Sequence, residues 1–503
     1  MWNKYSQHSA RSFSLTLLAI GIVSTLAFSF VDKDTSLDNE VNSQATGPLS
    51  FNVGLERDIL ISGVASKDDF GDALIVADLN GDGQMDLAIG AKEYEPGSTS
   101  NLGGVFVFFG PLTDAALSAA DAPLTIVGPG RDESAGASLA VGDINGDGAQ
   151  DLAIGAPKSP NGNIAWTGAV HILHGPFQPG QIDLGQAANS VVRGPFQNEE
   201  TGMGVAIGDL NNDGTADLAI GSTLAGRPVV GEVAVIFGPI ESGSTNLSDV
   251  TDLVITGTTK GEGAGDALSI GDLDGDGIDD LVVGASGVGF SAHGWKGESG
   301  SAKAGVILTN RTGIFFGPLN SSAEKVEFDT AGFIVEGPGE GEGEYFGSTV
   351  DVGDIDGDGV NDLAIGGQGI VVGSRLSTGQ VLIIKGPLNG GRTEATNINS
   401  EVDAIVSGES SMDHLGSAVA VGDINGDGIH DLILGANTSN SINAEETGTV
   451  SVMFGNIFDR VPIPEASGTG SITVFAIIGV VAVVGVAGGF WYLRRKRKEP
   501  EAS

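Results

Sequence analysis

From residue 51 to residue 460 the hydrophobic positions fall in short runs, alternating with polar or glycine positions and separated by Gly, Pro, Asn and Asp. One stretch shows the whole set: ASLAVGD after Gly136, LAIGA at 152–156, AVHILHG at 169–175 and ANSVVRG at 188–194. Period-two alternation and β-branched content read these as four strands, and no 3.6-residue periodicity lies between them. The set recurs six times. Its last copy stops after three runs, at TVSVMFG (449–455), while a spare run, RDILISG (57–63), precedes the first. A closed ring needs that offset, because an N-terminal strand that completes the last sheet leaves no edge open. The pattern predicts an all-β chain, a closed β-propeller of six four-stranded blades over residues 51–460.

The two ends have a different pattern. Lys4, His8 and Arg11 precede an apolar run that reads as a signal peptide or anchor over 1–29, followed by a polar linker over 30–50. A second linker, 461–472, leads into the apolar segment 473–493 and a basic tail, 494–503, containing RRKRK. This predicts a C-terminal transmembrane helix with a cytoplasmic stop, and a cell-surface, membrane-anchored protein with its bulk outside the cytoplasm.

Composition changes the picture in two places. Gly is 81 of 503 residues but recurs at fixed places in each unit, so it is turn chemistry and not disorder. The net charge of −41 argues against a nucleic-acid partner, which needs a basic footprint. No cysteine is present, so no disulfide ties the ring together.

Much of the acidity sits in one nine-residue string, D-x-[DN]-x-D-G-x-x-D, at the same place in every unit. Its first residues lie 65, 66, 63, 82 and 69 positions apart. Side-chain oxygens at positions 1, 3, 5 and 9, a turn glycine at 6 and a backbone carbonyl at 7 suit an oxygen-seeking cation such as Ca²⁺, up to six ions in all. The expected ligands are Asp78, Asn80, Asp82, Gln84 and Asp86 in the first unit, and Asp143, Asn145, Asp147, Ala149 and Asp151 in the second. In the third and fourth they are Asp209, Asn211, Asp213, Thr215 and Asp217, then Asp272, Asp274, Asp276, Ile278 and Asp280. The fifth and sixth supply Asp354, Asp356, Asp358, Val360 and Asp362, then Asp423, Asn425, Asp427, Ile429 and Asp431. An EF-hand would place Glu at position 12, where this chain has Ile89, Ile154, Ile220, Val283, Ile365 and Leu434, residues suited to a core strand. Affinities on the order of 10⁻⁴ to 10⁻³ M are expected, tighter where four carboxylates converge at the Asp272 and Asp354 loops.

The units resemble the FG-GAP repeats of integrin α-chain propellers. Phe70-Gly71 and Phe346-Gly347 keep the Phe-Gly pair, while Gly136, Gly202, Gly265 and Gly416 keep its glycine. LAIGA-type strands, a G-x-V strand and a following Gly-Pro, as at Gly110-Pro111 and Gly175-Pro176, complete the match. The resemblance implies a propeller and ligand contact through the face opposite the metal loops; integrin rings have seven blades, and the repeat count here is six.

Strand alternation puts the metal loops and the third-to-fourth connections on one face, and the second-to-third and fourth-to-first connections on the other. An insertion in the fourth unit brings His293, Trp295 and Lys296 to that second face, as the second unit brings Trp166. These are the candidate ligand-binding residues, for an extracellular protein or glycan. His171 and His174 alternate along one strand and read as structural. The expected function is a non-enzymatic adhesion or recognition module. The alternatives are an extracellular hydrolase or lyase carrying such repeats, or a passive surface coat.

Overall fold

The computed structural model describes residues 47–63, 65–97, 101–287, 310–320, 325–338, 344–389, 395–439 and 447–462. The expected N-terminal signal, the 473–493 span, the basic tail, His293, Trp295 and Lys296 lie outside these residues. No helix among the described residues is long and apolar enough to cross a membrane.

Six sheets follow one another along the chain. In the first blade, Phe70–Ala77, Asp86–Ala91, Gly104–Phe108 and Leu124–Val127 pair antiparallel in chain order. The ring closes as the sequence pattern predicts: Ile59–Ser62 pairs antiparallel with Thr449–Met453 and so completes the sixth blade.

The blades are five-stranded, not four-stranded as expected. On the way from its third strand to its fourth, each unit lays a short strand parallel to the outer strand of the preceding blade. Gly180–Asp183 of the second unit joins Leu124–Val127 of the first blade, and Ala116–Ser118 of the first unit joins Ile59–Ser62 of the sixth. The remaining partner for the fifth blade comes from the N-terminus, where Leu49–Asn52 runs parallel to Ala404–Ser407. The N-terminal segment therefore serves two blades before the first metal loop begins.

Packing explains the sequence pattern strand by strand. The second strands, such as Asp86–Ala91 and Asp151–Ala156, are buried at every position because both their faces meet neighbouring blades. The core is accordingly divided among the six interfaces between blades; the one at the closure joins Ile59, Ile61 and Val450 to Phe70 and Phe106. Two glycines per unit allow the blades to approach. A Cβ on Gly435 would lie 2.2 Å from the carbonyl oxygen of Gly71 in the next blade, and one on Gly90 would lie 2.1 Å from that of Gly136. That contact is between backbones, which is why the glycine of the Phe-Gly pair persists where the phenylalanine does not. The first strands of the six blades surround an axial cavity of about 260 Å³.

Candidate functional site

Each acidic string forms the tight connection between the first and second strands of its blade. The loop at Asp143 shows how it is held. Asp143 Oδ1 accepts the N–H groups of Gly146 and Asp147 at 2.8 and 3.0 Å, and its Oδ2 accepts that of Gly148 at 2.8 Å. Asn145 Oδ1 accepts Asp147 N–H at 2.8 Å, and Asp147 Oδ1 accepts Ala149 N–H at 2.9 Å. The side chains at positions 1, 3 and 5 therefore converge inside the turn. Left-handed residues make this possible: Gly146 and Gly148 have φ of 77° and 89°, and Asn212 takes 57° where the third loop lacks the first glycine.

Donor chemistry fits a hard cation. In the Asp272, Asp274, Asp276 set and in the Asp354, Asp356, Asp358 set, one carboxylate oxygen from each residue lies within 4.8 Å of the others. In the second loop Asn145 Nδ2 reaches both Asp147 Oδ2 at 3.1 Å and Asp151 Oδ1 at 3.5 Å, which brings position 9 to the same centre. The residues at position 7 present their N–H to position 5 in all six loops, as with Gln84 to Asp82 at 2.8 Å, Thr215 to Asp213, Ile278 to Asp276, Val360 to Asp358 and Ile429 to Asp427.

Position 9 does more than the sequence indicates. Asp86, Asp151, Asp217, Asp280, Asp362 and Asp431 are all buried, and each accepts the N–H of the glycine that ends the third strand, Gly110, Gly175, Gly238, Gly317, Gly386 or Gly455. In five of the six the same carboxylate also takes N–H groups from its own loop, as Asp86 does from Leu79 and Asn80 at 3.0 and 3.1 Å; the second oxygen of Asp151 is buried without a hydrogen-bond partner among the described residues. One side chain thus ties the loop to two strands. Burial raises the carboxyls of Asp217, Asp280, Asp362 and Asp431 to about 6, a shift that a cation bound beside them would oppose.

The opposite face carries a second sixfold feature that the sequence reading missed. Three residues before each conserved glycine stands an acid: Asp68, Glu133, Glu199, Glu262, Glu344 and Asp413. These turn inward to brace the connections. Glu133 accepts the Ser159 hydroxyl, Glu262 accepts the N–H groups of Thr258 and Thr259 at 2.6 and 3.0 Å and pairs with Arg311, and Asp413 accepts Ser410 N–H at 2.5 Å. The residue after each acid is left-handed, with φ between 51° and 69° at Asp69, Ser134, Glu200, Gly263, Tyr345 and His414. Alignment of the six units on the glycine would have revealed this position.

Trp166 lies on this face, 45% exposed, with φ of 56°. Ile164 and Phe196 are exposed in the same sector, and Asn198 N–H donates to Trp166 carbonyl at 2.8 Å, joining their two loops. His171 is a buried core residue, and burial lowers its pKa to about 4.

The FG-GAP repeat family model matches residues 70–108, 135–173, 201–236, 264–306, 346–384 and 415–453, one match per blade. The chain is an FG-GAP β-propeller protein. It is similar to the phosphatidylinositol-glycan-specific phospholipase D of Mus musculus, 34% identical over 167 residues, which are 32% of this chain and 19% of the relative. It is also similar to integrin alpha-3 of Cricetulus griseus, 32% identical over 188 residues, 35% of this chain and 17% of the relative. Integrin alpha-IIb of Mus musculus is 33% identical over 158 residues, 30% and 15% of the respective chains. The chain thus spans less than a quarter of the length of the curated relatives it matches.

Proposed function

We propose that this protein is a calcium-braced recognition module held outside the cytoplasm, which engages an extracellular protein or glycan through the face opposite the acidic loops. The carrying observation is a contrast between the faces. The acidic loops repeat in length and donor spacing in all six blades, whereas the second-to-third connections, 12 residues long in four blades, shorten to 9 in the third and lengthen to 25 in the fourth, and differ in what they expose, from Ile164 and Trp166 in one blade to Val371 and Leu376 in another. Repetition serves the scaffold, and variation on a fixed scaffold serves recognition.

In this reading the side chains at positions 1, 3, 5 and 9 and the carbonyl at position 7 hold Ca²⁺, which neutralises acids that otherwise repel one another and fixes the first and second strands of each blade. The apolar 473–493 segment anchors the protein in the membrane. The integrin likeness supports a binding role, and the net charge of −41 argues against a nucleic-acid partner.

The chain contains no cysteine, so a single introduced thiol can carry a bulky polyethylene glycol to one face. Full-length protein labelled at Leu376→Cys is expected to lose its signal on arrays of glycans and secreted proteins, while protein labelled at Asp114→Cys, on the acidic-loop side, keeps it. Equal loss from both labels would sink the reading. The likeness to a phospholipase supports a second reading, catalysis; release of a glycosylphosphatidylinositol-anchored substrate by the purified chain would establish it.

A further inference from the structure

The sector of the recognition face around the second blade differs in charge from the rest of the molecule. Arg131, in the connection entering the blade, and Arg227, in the next blade's second-to-third loop, are exposed, and Arg193, at the end of the second blade's strand Ser190–Arg193, is half-buried. None of the three forms an ion pair among the described residues. In a chain of 65 acids and 24 Lys and Arg, three guanidinium groups in one sector without a carboxylate in ion-pair contact among the described residues leave room for an anion supplied from outside.

The acids of the same loops come within electrostatic reach of two of them without closing an ion pair: Glu133, turned onto Ser159, feels Arg193, and the buried Glu199 feels Arg227, while Asp132 is exposed. Lys158 is already paired with Glu93 at 2.9 Å.

Backbone hydrogen bonds bind the four loops into one surface. Lys158 N–H meets Glu133 carbonyl at 3.3 Å, Asn198 N–H meets Trp166 carbonyl at 2.8 Å, and Leu224 N–H meets Glu199 carbonyl at 3.3 Å. Arg193 Nη1 donates to Pro160 carbonyl at 3.2 Å, which sets its guanidinium beside the Trp166 loop. Within this surface an indole is held at a left-handed backbone position, a conformation that is costly for a bulky side chain and persists only where the surroundings enforce it.

Resting on the reading of this face as the recognition surface, we infer that the sector formed by Trp166, Ile164, Phe196, Arg131, Arg193 and Arg227 binds a carboxylated polysaccharide. A sugar ring offers an apolar C–H face for the indole, and the uronate carboxylates offer the planar, two-oxygen acceptor that a guanidinium fork matches. Repeated uronates along a chain also meet cations spread over several loops, which a single small anion does not.

The test uses the full-length protein and polygalacturonate as the probe, with dextran as a neutral polysaccharide and polyglutamate as an acidic polypeptide. Wild type is expected to bind polygalacturonate, more weakly as salt rises, and not dextran. Trp166→Gly, which suits the local φ while removing the ring, and the pair Arg131→Gln with Arg227→Gln are each expected to lose at least about tenfold in affinity, with melting temperatures unchanged. Asp114→Asn, on the acidic-loop side, should bind as wild type does. The inference is overturned if wild type does not bind polygalacturonate, if the variants bind it equally well, or if polyglutamate binds as tightly. If polygalacturonate fails while the label at Leu376→Cys still abolishes array binding, the recognition face stands and only this ligand assignment falls.

Discussion

Lys385 Nζ lies 2.5 Å from Asp356 Oδ2, so the fifth acidic loop already has a cation of its own. The ammonium is also held over the Phe458 ring, 4.0 Å from its centroid. By carboxylate count this loop equals the one at Asp272, but the two are electrostatically unlike.

Calcium affinity should therefore be higher at the Asp272 loop than at the Asp354 loop. Lys385→Met is expected to tighten the fifth loop by roughly tenfold, about 1.4 kcal/mol, since the ammonium is partly exposed and its repulsion of the ion is screened. Titration calorimetry of wild type and variant reads this directly; unchanged affinity would show that Lys385 leaves the loop when calcium enters.

Removing calcium should loosen the ring. For dissociation constants near the extracellular class, each filled loop stabilises by roughly 1 kcal/mol at millimolar calcium. Chelation is expected to lower the melting temperature, and a calcium titration to restore it in proportion to the logarithm of free ion. An unchanged melting temperature would reject a structural role for the ion.

Closure by the N-terminal strand predicts a large core penalty from a residue far from the last blade in sequence. Ile61 is fully buried and pairs with Val450, so Ile61→Ala should cost about 2–5 kcal/mol in urea unfolding. A cost under about 1 kcal/mol would mean that the closure opens in solution.

Asp351 makes stability depend on pH. Half-buried at the wall of the axial cavity, its carboxylate accepts Ser269 Oγ–H at 3.0 Å and Val421 N–H at 2.8 Å, and desolvation raises its pKa to about 6. The folded state then holds a proton that the unfolded chain releases near pH 4, so this group's contribution falls as pH rises from about 4 to about 6 and is constant above. Asp351→Asn should flatten that part of the stability curve, compared with wild type in chelator by denaturant unfolding. Parallel curves for the two proteins would remove Asp351 as the cause.

The blades, the closure strand and the acidic loops were legible in the sequence because each is repeated and locally encoded: alternation gives the strand, and Asp, Asn and Gly spacing gives the turn. The fifth strands were not. Ala116–Ser118, Lys325–Glu327 and Thr396–Asn397 have two or three residues, lie at an outer edge and are largely exposed, so no hydrophobic period marks them. The second task of position 9 was also hidden, because its partner glycine stands 24 residues away from Asp86 and only the fold brings them together. On the face opposite the acidic loops, Trp166 was found by its chemistry, whereas Phe196 and the three guanidinium groups gained meaning only from their neighbours.

The exchange of outer strands constrains how a ring of this kind can have grown. Every unit both gives a strand to the preceding blade and takes one from the following unit, and the N-terminal segment obeys the same rule at the seam. Loss of part of a unit would leave one blade without an outer strand and another with an unmatched one. Loss or duplication of one full period restores every pairing, wherever along the period the break falls. Recombination can thus alter the number of blades by whole units without respecting blade boundaries, and it has little freedom to alter anything smaller.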